Sequence, residues 1–568
     1  MKKSYIESIR VFSLLALMLV GQSCEDVLKE TLVSGIGNEY INTPKGFEDA
    51  AKAAYAPLRN YYGTQQGLTI TEYGTDLYAT GADGGYKGFH FYDAQLQPTV
   101  DYLGIIWDET YRGINTCNAV IERSVTVAGV TDATKKQRVA EMKYLRAHYY
   151  FLLFQQFGGV DLRLTETIVP TKKTSRATDA DMYKVIISDL EAAITDLDAK
   201  SRAAVMTEWG RATKGAAEHL LARVYLTKGN SIVKATDDYS KAATLATNVI
   251  NNYGFKLLPD FASVFDQGNQ LNDEVIFAVQ FTSDPLTNAA SAPVTSSNAG
   301  GNNLHLFYGM QYDVQAGMVR DIANGRPFKR LRPTAYCLNT IFALDNRVND
   351  SRYKKTFKDT WTCNNPGTFT NVFDNSKKSV TFKVGDTTIY IPGREWTLAE
   401  RTAKPYQVLV PSLYNEALFP TLQKFLDPLR PDRTYEPGSR DFMCFRLADT
   451  YLMLAEAQLL QGKVKEATDA LNMVRRRAAW AGKTTAMEIT QAQMTFDFLV
   501  DERGRELVGE QIRWMDLKRW GNLVDRVQKN NPQAAANVKA IHLVRPIPQT
   551  QIDRTEGGAT AFPQNPGY

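Results

Sequence analysis

The stretch from Leu454 to Val474, LAEAQLLQGKVKEATDALNMV, sets Leu454, Ala455, Gly462, Ala467, Leu471 and Val474 at the spacing of a tetratricopeptide unit. Such a unit is two antiparallel helices, here turning at Gly462, whose small facing residues let the backbones approach closely. A second unit begins at Leu221, Ala222, Tyr225 and Gly229; its second helix, with Tyr239 and Ala242, comes about eight residues late, which lengthens the connecting loop. Two units with further helix pairs around them predict a mostly α chain, a scaffold of tetratricopeptide-like helix pairs.

Amphipathic patterns fill the chain on the N-terminal side of these units. They predict helices over 46–62, 105–122, 139–157, 179–197, 213–228 and 239–251. In the third of these, Met142, Leu145, Tyr149, Leu152 and Leu153 share one stripe, and Thr178 with Asp179 opens the fourth as a cap. Helices are expected again over 443–461, 463–479 and 497–520, followed by an extended tail with Pro546, Pro548, Pro563 and Pro566. The middle reads differently. Residues 283–303 are rich in Ser, Asn, Ala, Gly and Pro, a long loop. Val380 to Ile391, VTFKVGDTTIYI, alternates on both sides of Gly385-Asp386 and predicts a small β-hairpin element. Long irregular loops of this kind in a compact protein are usually functional.

The chain has 568 residues, 44% hydrophobic, 23% charged and 11% aromatic, with a net charge of +4. Lys2, Lys3 and Arg10 against Glu7 supply half of that charge, so the remainder is nearly balanced. That excludes an electrostatic case for nucleic acid or for a polybasic membrane patch. Residues 1–23 read as a signal peptide: a basic start, the ten-residue apolar run Val11 to Val20 (VFSLLALMLV), then small Gly21 and Ser23 around Gln22. Cys24 follows directly and is the expected lipid anchor, as in a bacterial lipoprotein signal, although Gly21 stands where Leu is common. Glu25 and Asp26 resemble the acidic tag that sends lipoproteins of Bacteroidetes-type bacteria to the cell surface. The other cysteines, Cys117, Cys337, Cys363 and Cys444, show neither zinc spacing nor CxxC; buried free thiols or a Cys337–Cys363 disulfide both fit.

Sequence motifs offer no enzyme. GxSxG, HExxH and the P-loop are absent, the five histidines (His90, His148, His219, His305 and His542) are scattered, and no cofactor or metal is implied. Glu502, Glu506 and Glu510 recur every four residues with Arg503, Arg505 and Arg513 beside them, and are read as a salt-bridged helix and not an acid/base cluster.

Several stretches together carry a family resemblance. They are Trp107-Asp-Glu-Thr-Tyr111 with Ile114-Asn115, Tyr144-Leu-Arg-Ala147 running to Phe157-Gly-Gly159, and Gly210-Arg-Ala-Thr213. Next come Phe445-Arg-Leu-Ala448 with Ala455-Glu-Ala457, Leu471-Asn-Met-Val-Arg475, Glu502-Arg503 with Glu506-Leu507, and Arg513-Trp-Met-Asp-Leu-Lys-Arg-Trp-Gly521. Pro546-Ile-Pro548 and Gln564-Asn-Pro-Gly-Tyr568 complete the set, which in this order resembles the SusD/RagB family from Cys24 to the last residue. Asp161, after Phe157-Gly-Gly-Val160, departs from it, since the family usually has Pro there. The resemblance implies one domain over 24–568, with a helical scaffold over about 40–280 and 440–525 and loop-rich ligand-binding insertions over about 60–100 and 282–440. It implies a lipoprotein of the outer membrane, facing the cell exterior, that binds oligosaccharide or peptide and forms a lid over a SusC-type TonB-dependent transporter.

A sugar captured from water needs flat aromatic faces and a few fixed polar groups, set on loops that a rigid scaffold holds. Two regions qualify: Tyr73 to Tyr92 (YGTDLYATGADGGYKGFHFY) and the irregular 308–396. The candidate ligand-binding residues are therefore Asp76, Tyr78, Tyr86, Tyr308, Trp361 and Trp396.

Overall fold

The computed structural model describes residues 39–198, 209–282, 284, 301–370 and 379–568. Cys24, its flanking residues and most of the 283–303 loop lie outside them. Seven consecutive long helices form the scaffold: α1 Asp101–Arg123, α2 Asp132–Phe157, α3 Asp179–Asp196, α4 Lys214–Gly229, α5 Asp238–Asn252, α6 Leu447–Leu460 and α7 Val464–Ala478. Each packs on the next, including α5 on α6, although residues 253–446 intervene in the chain. The fold is thus a mostly helical, tetratricopeptide-like array with a large insertion before its last pair.

Local chemistry sets the helix starts. Thr131, Thr178 and Thr213 each cap a helix by accepting a hydrogen bond from the backbone N–H three residues on. Both repeat units pack as read. Gly462, at φ +75°, turns the chain between α6 and α7, and Ala455 and Ala467 are fully buried where they meet. In the other pair a Cβ on Gly229 would stand 2.5 Å from the Tyr239 ring, so only glycine admits the contact. Arg146 of α2 grips Asp189 of α3 through two bonds of 2.8 Å, a buried ion pair between these helices.

Four expectations differ from the structure. The helix expected over 497–520 is two, Phe496–Leu507 and Arg513–Arg519, because Gly509 (φ +80°) and Gln511 (φ +55°) leave helical conformation between them. Gln511 is held there by accepting from the Gly63 N–H at 2.8 Å. The helix expected from Met443 is preceded by a strand, Phe442–Arg446, paired antiparallel with Val275–Val279. The two alternating runs around Gly385-Asp386 are strands, yet they do not pair with each other. Ser379–Phe382 pairs back on Gly367–Thr370, whereas Thr387–Tyr390 pairs with Thr360–Thr362 and, in parallel, with Gln407–Val408. Cys363 clasps the turn from the side: its N–H donates to Asp386 O at 2.7 Å and its carbonyl accepts from Gly385 at 3.0 Å. The strands therefore diverge to separate partners. In the tail, short helices Gln549–Arg554 and Gly558–Ala561 interrupt the extended chain.

The glutamate series is structural, as read. Glu502 meets Arg352 at 2.8 Å and Arg475 at 2.7 Å; Glu506 meets Arg352 at 2.9 Å and Arg446 at 2.7 Å, with Arg477 closer still. Burial pushes the Glu506 carboxyl up, but Arg477, Arg446 and Arg352 outweigh it and hold the pKa at about 2. His148 and His219 are buried packing residues, stacked on Phe445 at 5.5 and 4.5 Å. Cys117, Cys337, Cys363 and Cys444 are free thiols.

Candidate functional site

Two short strands position the first loop region. Tyr78–Thr80 pairs antiparallel with Leu331–Pro333, Tyr78 opposite Pro333 and Thr80 opposite Leu331. The pairing runs on past the strands: Gly81 N–H donates to Arg330 O at 2.9 Å, and Ala82 N–H to Glu416 O at 2.8 Å. A Cβ on Gly81 would sit 2.1 Å from the Lys329 carbonyl, so a side chain there would break this contact. The loop from Gly81 to Tyr86 is thereby laid against Phe328–Arg330.

On that frame Tyr86 stacks on Tyr102, with ring centroids 3.6 Å apart and planes at 17°. The Tyr86 hydroxyl donates to Asp101 at 3.0 Å. Burial raises both phenol pKa values, with Asp101 adding to the rise at Tyr86, so both hydroxyls stay protonated donors. Both residues are half-buried. Across the loop, the Arg330 side chain passes over Gly84 and lies 5.2 Å from the Phe328 ring centre. Tyr86 and Lys329 hold φ of +61° and +47°. Left-handed backbone at non-glycine residues costs on the order of 1–3 kcal/mol and gathers at functional sites.

Trp396 marks a second platform. It is half-buried beside Tyr390, at 5.8 Å, with Arg394 and Lys404 at 5.4 and 5.8 Å from its ring. One loop touches both platforms: Glu416 O accepts from Ala82, while Ser412 donates to the Glu395 carboxylate through N–H at 2.7 Å and Oγ at 2.9 Å.

The other expected site residues lie inside. Asp76 is fully buried between Arg513, at 2.7 Å, and Arg526, at 3.1 Å; its carboxylate ties α-helical segments together. Tyr78 packs on Tyr308 at 5.1 Å, and the Tyr308 hydroxyl donates to Gly509 O at 3.1 Å. Trp361 is fully buried against Tyr312, centroids 4.6 Å apart, within a small core with Met310, Ile389 and Leu409. A ligand arriving from water does not meet these four side chains. Their apolar and β-rich contexts look the same in sequence whether a loop faces solvent or folds into a core. Of the six, Tyr86 and Trp396 present ring to the surface. Tyr102 and Arg330 were missed: Tyr102 opens the Asp101–Arg123 helix, and Arg330 meets Gly84 only through the pairing of distant strands.

A cavity of about 550 Å³ involves neither platform. Glu48, Tyr55, Arg59, Trp209 and Arg211 are among its walls, and Arg211 is committed to Glu141 at 2.8 Å.

A family model described as "SusD family" matches residues 273–568, and one described as "Starch-binding associating with outer membrane" matches residues 52–226. SusD-like protein P25 of Formosa agariphila is 23% identical over 548 residues, covering 93% of this chain and 94% of that protein. Starch-binding protein SusD of Bacteroides thetaiotaomicron is 25% identical over 470 residues, covering 78% of this chain and 74% of that protein. A solved laminarin-binding SusD-like protein superposes with a TM-score of 0.67 at 23% identity, over 93% of this chain and 100% of that one. These structural likenesses establish the fold.

Proposed function

The chain belongs to the SusD family, and from that premise we propose that it is a cell-surface glycan-binding lipoprotein that captures oligosaccharide and passes it to a SusC-type TonB-dependent outer-membrane transporter. The observation that carries this reading is the Tyr86–Tyr102 stack, an aromatic face edged by Asp101 and Arg330 on a loop clamped to a rigid array. The starch and laminarin named for similar proteins favour sugar over peptide as the ligand class. The chain acts as a binder and not as an enzyme: its conspicuous carboxylates, Glu502 and Glu506, are saturated by buried guanidiniums and have no free geometry for acid/base work.

Cys24 carries the lipid that holds the protein at the outer membrane. No helix among the described residues is long and apolar enough to cross a membrane. The transporter supplies the pore, and the helical array supplies the rigid face that docks on it.

Titration of the purified protein against glycan and peptide arrays tests the ligand class. Oligosaccharide binding without change of chain length is expected; peptide binding alone would replace the reading. Cys24→Ala should release the protein from the membrane fraction. Pull-down in mild detergent should recover a large β-barrel protein in about equal amount; a lone monomer together with normal uptake in a deletion strain would remove the transporter role.

A further inference from the structure

Both platforms carry cations that form no salt bridge among the described residues, and we propose that the captured oligosaccharide is acidic, bearing uronate carboxylates or sulfate esters; this rests on the glycan-binding reading above. Around the Tyr86–Tyr102 stack the neighbouring charges are already engaged. Lys329 pairs with Asp83 at 2.9 Å, Arg326 with Glu436, and Asp101 accepts from Tyr86. Lys87 donates to Gly81 O and Arg332 to Thr80 O, each at 3.1 Å, with Glu416 close enough to act on Arg332. Arg330 differs. Its side chain has the Phe328 face and the surface of Gly84 as neighbours, and its Nε, shielded from solvent, has no hydrogen-bond partner among the described residues.

The Trp396 platform repeats the pattern with other residues. Arg394 and Lys404 flank the ring, and Arg394 donates to the Glu395 backbone carbonyl at 3.2 Å. The two nearby carboxylates take their hydrogen bonds elsewhere in the same segment, Glu395 from Ser412 and Glu400 from the N–H and hydroxyl of Thr397, with Arg394 close enough to act on Glu400 but not bonded to it. Trp396 Nε1 and Arg401 Nε are shielded donors without hydrogen-bond partners among the described residues.

A neutral sugar offers hydroxyls that donate and accept alike, and it gains little from an unpaired guanidinium. A carboxylate or sulfate only accepts. It matches the planar fork of arginine with two parallel charge-assisted bonds. Two separate aromatic faces, each with donors in excess over acceptors, fit a chain whose anionic groups recur along its length.

The test uses the mature protein in mild detergent, titrated with oligogalacturonate and its methyl ester, and with a carrageenan oligosaccharide before and after desulfation. One acidic oligosaccharide should bind at least about tenfold more tightly than its neutral counterpart, with an advantage that shrinks at high salt. Which anion wins separates carboxylate from sulfate. Arg330→Gln should weaken the acidic ligand at least about tenfold more than the neutral one, and Arg330→Lys should restore part of the difference. Equal affinity for acidic and neutral chains, or equal loss of both in Arg330→Gln, overturns the inference and leaves glycan binding standing. Failure to bind any oligosaccharide removes both.

Discussion

Tyr86 lies face to face with Tyr102, centroids 3.6 Å apart, while its own backbone is held at φ +61°. The stack is held from two sides: the Tyr86 hydroxyl donates to Asp101, next to Tyr102, and the bonds from Gly81 to Arg330 and from Ala82 to Glu416 brace the loop that carries Tyr86. The pair of rings is therefore ordered before any ligand arrives. Pre-ordered rings lose little side-chain freedom on binding, which favours affinity.

Tyr86→Ala and Tyr102→Ala should each weaken oligosaccharide binding by about tenfold, roughly 1.4 kcal/mol. Tyr86→Gly should also weaken binding while relieving the positive φ, so its melting temperature should not fall below that of Tyr86→Ala. Calorimetric titration alongside thermal melts measures both. Undiminished affinity in Tyr86→Ala and Tyr102→Ala would move the ligand face elsewhere.

The two tryptophans chosen from the irregular middle should behave oppositely. Trp361 is fully buried on Tyr312, so Trp361→Ala should destabilise by about 3–5 kcal/mol through cavity formation. Trp396 is half-buried at the surface, so Trp396→Ala should leave the melt nearly in place and lower affinity instead. Chemical denaturation and ligand titration of the pair give the comparison; a stable Trp361→Ala with reduced binding would reverse the assignment.

The contrast shows where sequence was informative. Ala455, Gly462 and Ala467 could be read because close helix packing demands small residues at fixed spacing, a purely local rule. Thr178 was readable for the same reason, as a cap that its own next turn satisfies. Asp76, Tyr78, Tyr308 and Trp361 were not, since their burial depends on Arg513, Tyr312 and Gly509, all distant in the chain. Arg330 was invisible as a site residue because an unpaired guanidinium is defined by which carboxylates fail to reach it.

Ala467 is fully buried between α6 and α7, beside Leu454, Ala455 and Leu471. Ala467→Trp should overpack that contact and cost about 1–3 kcal/mol or more, seen as a lower melting temperature, with Ala467→Gly as a milder control. An unshifted melt for the tryptophan variant would mean that the helices do not meet there.

Glu72 is fully buried, and its carboxyl makes no well-formed hydrogen bond among the described residues, although the Gln511 and Ile512 backbone N–H groups are close enough to act on it. Burial raises its pKa to about 8, against weaker opposing effects of the Gln511 backbone N–H, Arg513 and the Ile512 backbone N–H. The folded protein then keeps a proton on Glu72 that the unfolded chain releases near the ordinary glutamate value of 4.5. Below that pH both states are protonated and folding has the full benefit of a neutral side chain. As pH rises from about 4.5 to about 8 the unfolded state gains by ionising, and the fold loses up to about 4–5 kcal/mol. Glu72→Gln removes this linkage while keeping size and polarity. Its stability relative to the native protein should therefore increase from about pH 5 to about pH 8 and then level off, measured as the difference in urea midpoint at each pH, because every other titrating group is common to both proteins and cancels. A difference that stays constant over this range would show that Glu72 is ionised in the folded state, with a counter-charge or water satisfying its oxygens.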